Sequence, residues 1–142
     1  MNKMKLEFSS RSDNEIFARM VVTAFILELD PTLEQLSEIK TAVSEAVTNA
    51  VIHGYDMQDG IITLEGTLEG NKLTVSVSDN GVGIPDIKKA REPLYTGKPE
   101  AERSGMGFTI MEEFMDELYV ESELGKGTSV TMVKTIEVDN ER

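Results

Sequence analysis

Apolar and polar residues alternate in MKLEF, where Met4, Leu6 and Phe8 are spaced by two, and this predicts an edge strand. Ser12 stands three residues before Glu15, the spacing of a capping box, and predicts a helix over 13–29 that DPT ends. Thr32 and Gln35 repeat that spacing and open a second helix running to about His53, with Gly54 placed to end it. IITLEGTL and KLTVSVSD are alternating stretches on either side of EGN, a hairpin. NGVGIPD is a glycine-rich turn, and 86–104 reads as a short helix followed by a polar loop. GFTIMEEFMDEL predicts a third main helix with Met111 and Met115 on its apolar face. YVESE and TSVTMVKTIEV are strands around LGKG, a second hairpin, and 138–142 is a frayed tail. The expected order is β-α-α-β-β-α-β-β in a single domain over 1–142. Strands grouped in hairpins predict an α/β (α+β) two-layer sandwich: a mostly antiparallel, mixed sheet with helices on one face.

The second helix carries a stripe that this pattern does not explain. Leu36, Ile39, Val43, Val47 and Ala50 form its buried face. Within EAVTNAVIH, however, Glu45, Asn49 and His53 recur every four residues and stack along one line of the helix. A carboxylate, an amide and an imidazole in a row face away from the sheet or into a cleft beside it. His53, at the helix end, reads as a structural residue that satisfies local carbonyls.

Composition narrows the function. A chain of 142 residues is long enough to bury a core unaided, and without cysteine it has neither disulfides nor thiolate metal sites. No apolar run near the start is long enough for a signal peptide or membrane span, so a soluble, cytoplasmic protein is expected. A formal net charge of −12 argues against binding nucleic acid or an anionic membrane by charge. Any polyphosphate would have to be held by backbone amides, a metal ion and a few local cations. Five of the fourteen basic residues, Lys88, Lys89, Arg91, Lys98 and Arg103, fall within sixteen positions.

Three glycine clusters remain: DNGVGIP from Asp79 to Pro85, SGMGF from Ser104 to Phe108, and GKGTS from Gly125 to Ser129. Two common phosphate-binding patterns fail on them. A dinucleotide fingerprint needs glycine three residues after Gly83, where Asp86 stands. A P-loop needs glycine five residues before Gly125, where Val120 stands. No HRD or DFG element of a eukaryotic-type kinase is present.

The ordered set does match something. E-x-x-x-N on a helix, D-x-G-x-G at a strand end, G-x-G opening a helix and G-T entering a strand together resemble the GHKL ATP-binding (Bergerat) fold of gyrase-type ATPases, Hsp90 and histidine-kinase catalytic domains. Within it, RSDNEIFAR, SEAVTNAVIHGY and PLYTGKPEAERSGMGFTIMEEFMDE are similar to the sporulation anti-sigma kinases of endospore-forming bacteria, serine kinases that hold a sigma factor inactive. The resemblance implies ATP or ADP with Mg²⁺ as ligands. It implies that Asn49 is the magnesium ligand and that Asp79 accepts the adenine amino hydrogen bond, with Thr128 close to adenine. Glu45, one turn before Asn49, would accept or orient the proton of an attacking hydroxyl. Gly81 and Gly83 would let the backbone lie flat against the base. Ser104, Gly105 and Gly107 precede a helix whose amides and dipole receive phosphate. Residues 91–104 match the ATP lid, with Lys98 and Arg103 reaching the β- and γ-phosphates; Gly97 departs from the small hydroxyl residue expected there. The region 1–30 would serve dimer and partner contacts, through Glu15 and Arg19 beside an apolar stripe of Ile16, Met20 and Phe25. The implied partners are a sigma factor, an anti-anti-sigma protein as substrate, and a second copy of the chain.

Three other readings stay open at this level. One is a module that uses ATP as a structural ligand without transferring phosphate. Another is a detached ATPase domain of a gyrase-like or sensor-kinase machine, which the absence of a transducer or histidine-bearing segment disfavours. The third is a stress-response anti-sigma kinase.

Overall fold

The computed structural model describes residues 1–56, 58–92 and 106–137. Five strands form one sheet: β1 (Asn2–Ser9), β2 (Ile61–Glu69), β3 (Lys72–Asp79), β4 (Glu117–Glu123) and β5 (Gly127–Thr135), in the order β1-β2-β3-β5-β4. Every neighbouring pair is antiparallel, so the sheet is antiparallel throughout and not mixed as expected, because each pairing joins hairpin partners or strands that run in opposite directions. β1 is an edge strand as its alternation predicts, and β2–β3 and β4–β5 are the two hairpins. The helices are α1 (Asn14–Ile26), α2 (Leu33–Asn49), the short α3 (Ile87–Ala90) and α4 (Gly107–Phe114).

Strand parity divides the sheet into two faces. The registers align Phe8 with Ile62, Leu64 with Val77, Val75 with Met132 and Val120 with Val130. These residues enter one core with Val22 and Ile26 of α1, Ile39, Val43 and Val47 of α2, and Met111 of α4. The opposite parity carries Lys3, Lys5, Glu65 and Glu121, all exposed. α2 is the central helix of the other layer, with α1 on one flank and α4 on the other. Its capping box forms as the spacing predicts: Thr32 Oγ1 accepts from Gln35 N at 3.1 Å, and Gln35 Oε1 accepts from Thr32 N at 3.2 Å.

The Ser12–Glu15 capping box does not form. Asp13 is the N-cap of α1 and makes no side-chain cap. Glu15 turns instead to α2, where Ser44 Oγ donates to its Oε2 at 2.5 Å, and it pairs with Arg19 at 3.3 Å. A hydroxyl and a guanidinium together offset more of the carboxylate's desolvation than one amide would. The α-helix ends at Ile26; a 3₁₀ turn, Leu27–Leu29, completes the expected span and stops at Asp30 in the left-handed region. α2 likewise ends as an α-helix at Asn49 and continues as a π-helical turn, Ala50–Gly54.

α4 is shorter than its apolar pattern suggests, because tertiary bonds draw the chain into the sheet. Lys134 Nζ donates to Phe114 O at 2.6 Å, and Asp116 N donates to Val133 O at 2.9 Å, so β4 begins at Glu117. β5 starts one residue early, at Gly127, and ends at Thr135. The expected tail, 138–142, and most of the expected lid lie outside the described residues.

Candidate nucleotide site

Glu45 and Asn49 are half-buried, so their stripe is not a solvated face. What covers them is the start of α4. A Cβ built on Gly107 would lie 3.2 Å from Glu45 Oε2, 3.2 Å from Asn49 Nδ2 and 3.3 Å from Asn49 Oδ1. Glycine lets the N-terminus of α4 come this close to both groups without displacing either side chain. Met106 is the N-cap of that helix and makes no side-chain cap, and the first turn of an α-helix leaves backbone N–H groups without intrahelical partners. The result is a carboxylate, a carboxamide and a positive helix end converging from two elements, an arrangement that suits an anion with a counter-ion.

A second group of residues sits at the far end of α2. Asp79, the last residue of β3, is only 9% exposed. Burial pushes its carboxyl above the ordinary carboxylate value, opposed by the backbone N–H groups of Gly81 and Thr128, which favour the charged form. The last turn of α2 lies directly on this carboxylate: a Cβ on Gly54 would stand 2.8 Å from Asp79 Cγ. Gly54 is therefore required less to stop a helix than to admit a carboxylate.

The glycine turn after Asp79 is tied to the same place. A Cβ on Gly81 would meet Gly54 O at 1.9 Å, and Val82 N donates to that oxygen at 2.9 Å. Gly83 has φ +82°, and a side chain there would run into Glu123 O of β4. Thr128 stands opposite Asp79 in the β3–β5 register, and its Oγ1 is 2.8 Å from Ser122 Oγ. Ser122 also accepts Ile84 N at 2.7 Å and so pins the turn to the hairpin.

Of the residues singled out from the sequence, Glu45, Asn49 and Gly107 thus come together at one end, and Asp79, Gly81, Gly83 and Thr128 at the other. His53 is half-buried in the π-helical turn between them. Lys98, Arg103, Ser104 and Gly105, with Gly97, lie outside the described residues. Arg91 is paired with Glu112 of α4. Glu15 and Arg19 lie on α1, where they pair with each other, and Glu15 is engaged by Ser44 of α2. Among the described residues no helix is long and apolar enough to cross a membrane. Ser122 was not singled out from the sequence. Its signal is faint but present: Leu118, Val120 and Ser122 share one parity of β4, so a hydroxyl stands where an apolar side chain is expected.

Comparison with known proteins places the chain in a family. Residues 8–134 match the model of the histidine kinase-like ATPase domain. The chain is 59% identical over 133 residues to the anti-sigma F factor of Clostridium kluyveri, covering 94% of each chain. It is 60% identical over 136 residues to the anti-sigma F factor of Geobacillus kaustophilus, covering 95% of this chain and 93% of the relative. Its fold resembles the crystal structure of the RsbU and RsbW domains of Rv1364c from Mycobacterium tuberculosis, with a TM-score of 0.67 at 20% identity, over 96% of this chain and 32% of that one. A family match across nearly the whole described core, joined to an ordered set of residues that converges in space, leads to one conclusion: the chain belongs to the histidine kinase-like ATPase family, in its anti-sigma F factor branch.

Proposed function

We propose that the chain is an anti-sigma factor and a Mg-ATP-dependent serine kinase. It binds and inhibits a sigma factor of the sigma-F type and phosphorylates the opposing anti-anti-sigma protein on a serine, acting as a homodimer. The single observation that carries the kinase part is the placing of Glu45 and Asn49 under the first turn of α4.

The residues divide the work by position. Asp79 accepts from the adenine amino group, with Gly81, Gly83 and Thr128 shaping the surface around the base. The first-turn amides of α4, which opens at Gly107 after Ser104 and Gly105 in the chain, take the phosphates. Mg²⁺ prefers hard oxygens and keeps waters while bridging phosphates. Asn49 Oδ1, half-buried beside a carboxylate, fits one place in such a shell, and phosphate and water oxygens would fill the rest. The bound ion supplies charge neutralisation on the phosphates. In the transfer, the serine oxygen bonds to the γ-phosphorus as the bond from that phosphorus to the ADP oxygen breaks. ADP leaves, and the serine proton passes to the Glu45 carboxylate. Lys98 approaches the phosphates and Arg103 offsets the charge of the transferring group.

The test uses labelled ATP and the purified antagonist. Glu45→Ala keeps ADP binding and loses transfer by about 10²- to 10⁴-fold, the range of a lost general base. Asn49→Ala loses metal-dependent affinity and transfer together. Normal labelling by Glu45→Ala removes the base assignment. A wild-type protein that binds ATP and never labels serine is an ATP-dependent binding module.

A further inference from the structure

One tyrosine beside the site has an unusual place in the sheet. The β2–β3 register pairs Thr63 with Ser78. Extended by two residues, it sets Ile61 opposite Asn80, immediately after Asp79. A direct ladder bond from Asn80 N–H to Ile61 C=O would be the ordinary continuation. The Tyr55 hydroxyl stands between them: it accepts from Asn80 N at 2.7 Å and donates to Ile61 O at 2.6 Å. A single oxygen is thus inserted into the ladder, and β3 parts from β2 at the point where its chain turns into the glycine segment.

The ring is held there from several sides. Gly60 lies flush against it; a Cβ at that position would be 2.5 Å from Tyr55 Cε1. Gln58 N donates to Tyr55 O at 2.8 Å, and Ser10 Oγ holds Gln58 O at 2.9 Å. Tyr55 also follows Gly54, the residue that packs on Asp79 and accepts from Val82. One residue therefore fixes both approaches to the Asp79 turn, its backbone neighbour from beneath and its hydroxyl from the side.

We propose that Tyr55 is a positioning residue for the nucleotide: its hydroxyl sets the spacing of β2 and β3 that aims the Asp79–Gly83 turn at the base. The proposal rests on the nucleotide-binding reading above and goes beyond it. Removing the oxygen frees Asn80 N–H and Ile61 C=O to bond directly or to take water. The fold survives either way, while the turn loses its orientation.

The test is Tyr55→Phe, assayed for ADP affinity by calorimetry and for phosphotransfer to the antagonist. The expected result is an ADP Kd and a KM for ATP raised about three- to ten-fold, the scale of one lost hydrogen bond, with kcat within about two-fold. A purely structural role would lower the unfolding midpoint of the ligand-free protein and leave Kd unchanged. An unchanged Kd, or a loss confined to kcat, overturns the proposal. Wild-type protein that binds no ADP overturns both the proposal and the reading beneath it. If Tyr55→Phe does not fold, amide exchange in the wild-type protein decides. A protected Asn80 N–H supports the inserted bond, and exchange at the rate of an open loop overturns it.

Discussion

Asp79 shows how one side chain carries opposing demands. It is buried, which favours the neutral form, and it accepts two backbone N–H groups, which favour the charged one. Burial dominates, so its folded pKa is raised from 3.8. Below that value both folded and unfolded chains carry the proton. As pH rises through it, the unfolded chain releases the proton while the folded protein retains it. The unfolded state then binds fewer protons, and stability falls until the folded pKa is passed. Asp79→Asn lacks this component. In urea unfolding of the ligand-free protein, wild type should lose stability relative to Asp79→Asn as pH rises from about 3.5 towards neutrality. At neutral pH the variant should also lose the thermal shift that ADP gives the wild type. A pH-independent difference between the two would mean that Asp79 is not held above its ordinary range.

At the scale of elements, the site is a junction of helix ends and strand ends set by close backbone approach. The last turn of α2 receives the Asp79 turn, with Gly81 against Gly54 O. Gly81→Ala puts a methyl group into a backbone carbonyl, which cannot rotate away as a side chain can. The expected loss is about 1–3 kcal/mol of stability, with nucleotide binding abolished. The other end of the junction depends on α4 stopping at Phe114. Lys134, almost buried, donates to the Phe114 carbonyl and pairs with Glu38 of α2 at 3.3 Å. A cation at a helix C-terminus is favourable, and this one ties α4, α2 and β5 together. Lys134→Ala should lower stability by about 2 kcal/mol in urea unfolding. It should also weaken transfer, since the N-terminus of α4 covers Glu45 and Asn49. A stability change within about 0.5 kcal/mol would show the contact to be ornamental.

At the scale of the whole molecule, α1 carries an exposed apolar surface. On α1, Ile16, Phe17 and Met20 are exposed, Met20 by 67%. Phe17 also meets Phe8 of β1 edge-on, at 6.4 Å between ring centroids. Such a surface at an edge of the sheet suits the proposed homodimer. Met20→Glu should shift sedimentation towards monomer while leaving the unfolding midpoint of the monomer nearly unchanged. A variant that sediments as wild type would place the dimer contact elsewhere. The net charge of −12 bears on the same scale: self-repulsion weakens with salt, which favours the compact state.

Much was legible before any coordinates, where a short-range rule governs. Alternation of period two identified β1 to β3, and the Thr32–Gln35 spacing marked the start of α2, because strand parity and helix caps depend on residues a few positions apart. The stripe of Glu45 and Asn49 was visible for the same reason. Element ends were less legible: α4 stops at Phe114 because Lys134, twenty residues later, takes its carbonyl. The Ser12–Glu15 cap failed because Ser44, on another helix, competes for the carboxylate. The sequence by itself determined which residues share a helix face or a strand face, and so which polar groups were available for chemistry. Only the tertiary structure decided that α4 would cover Glu45 and Asn49, that Gly54 would lie on Asp79, and that Tyr55 would enter the sheet. Those contacts join segments far apart in the chain, and they depend on packing that no local periodicity encodes.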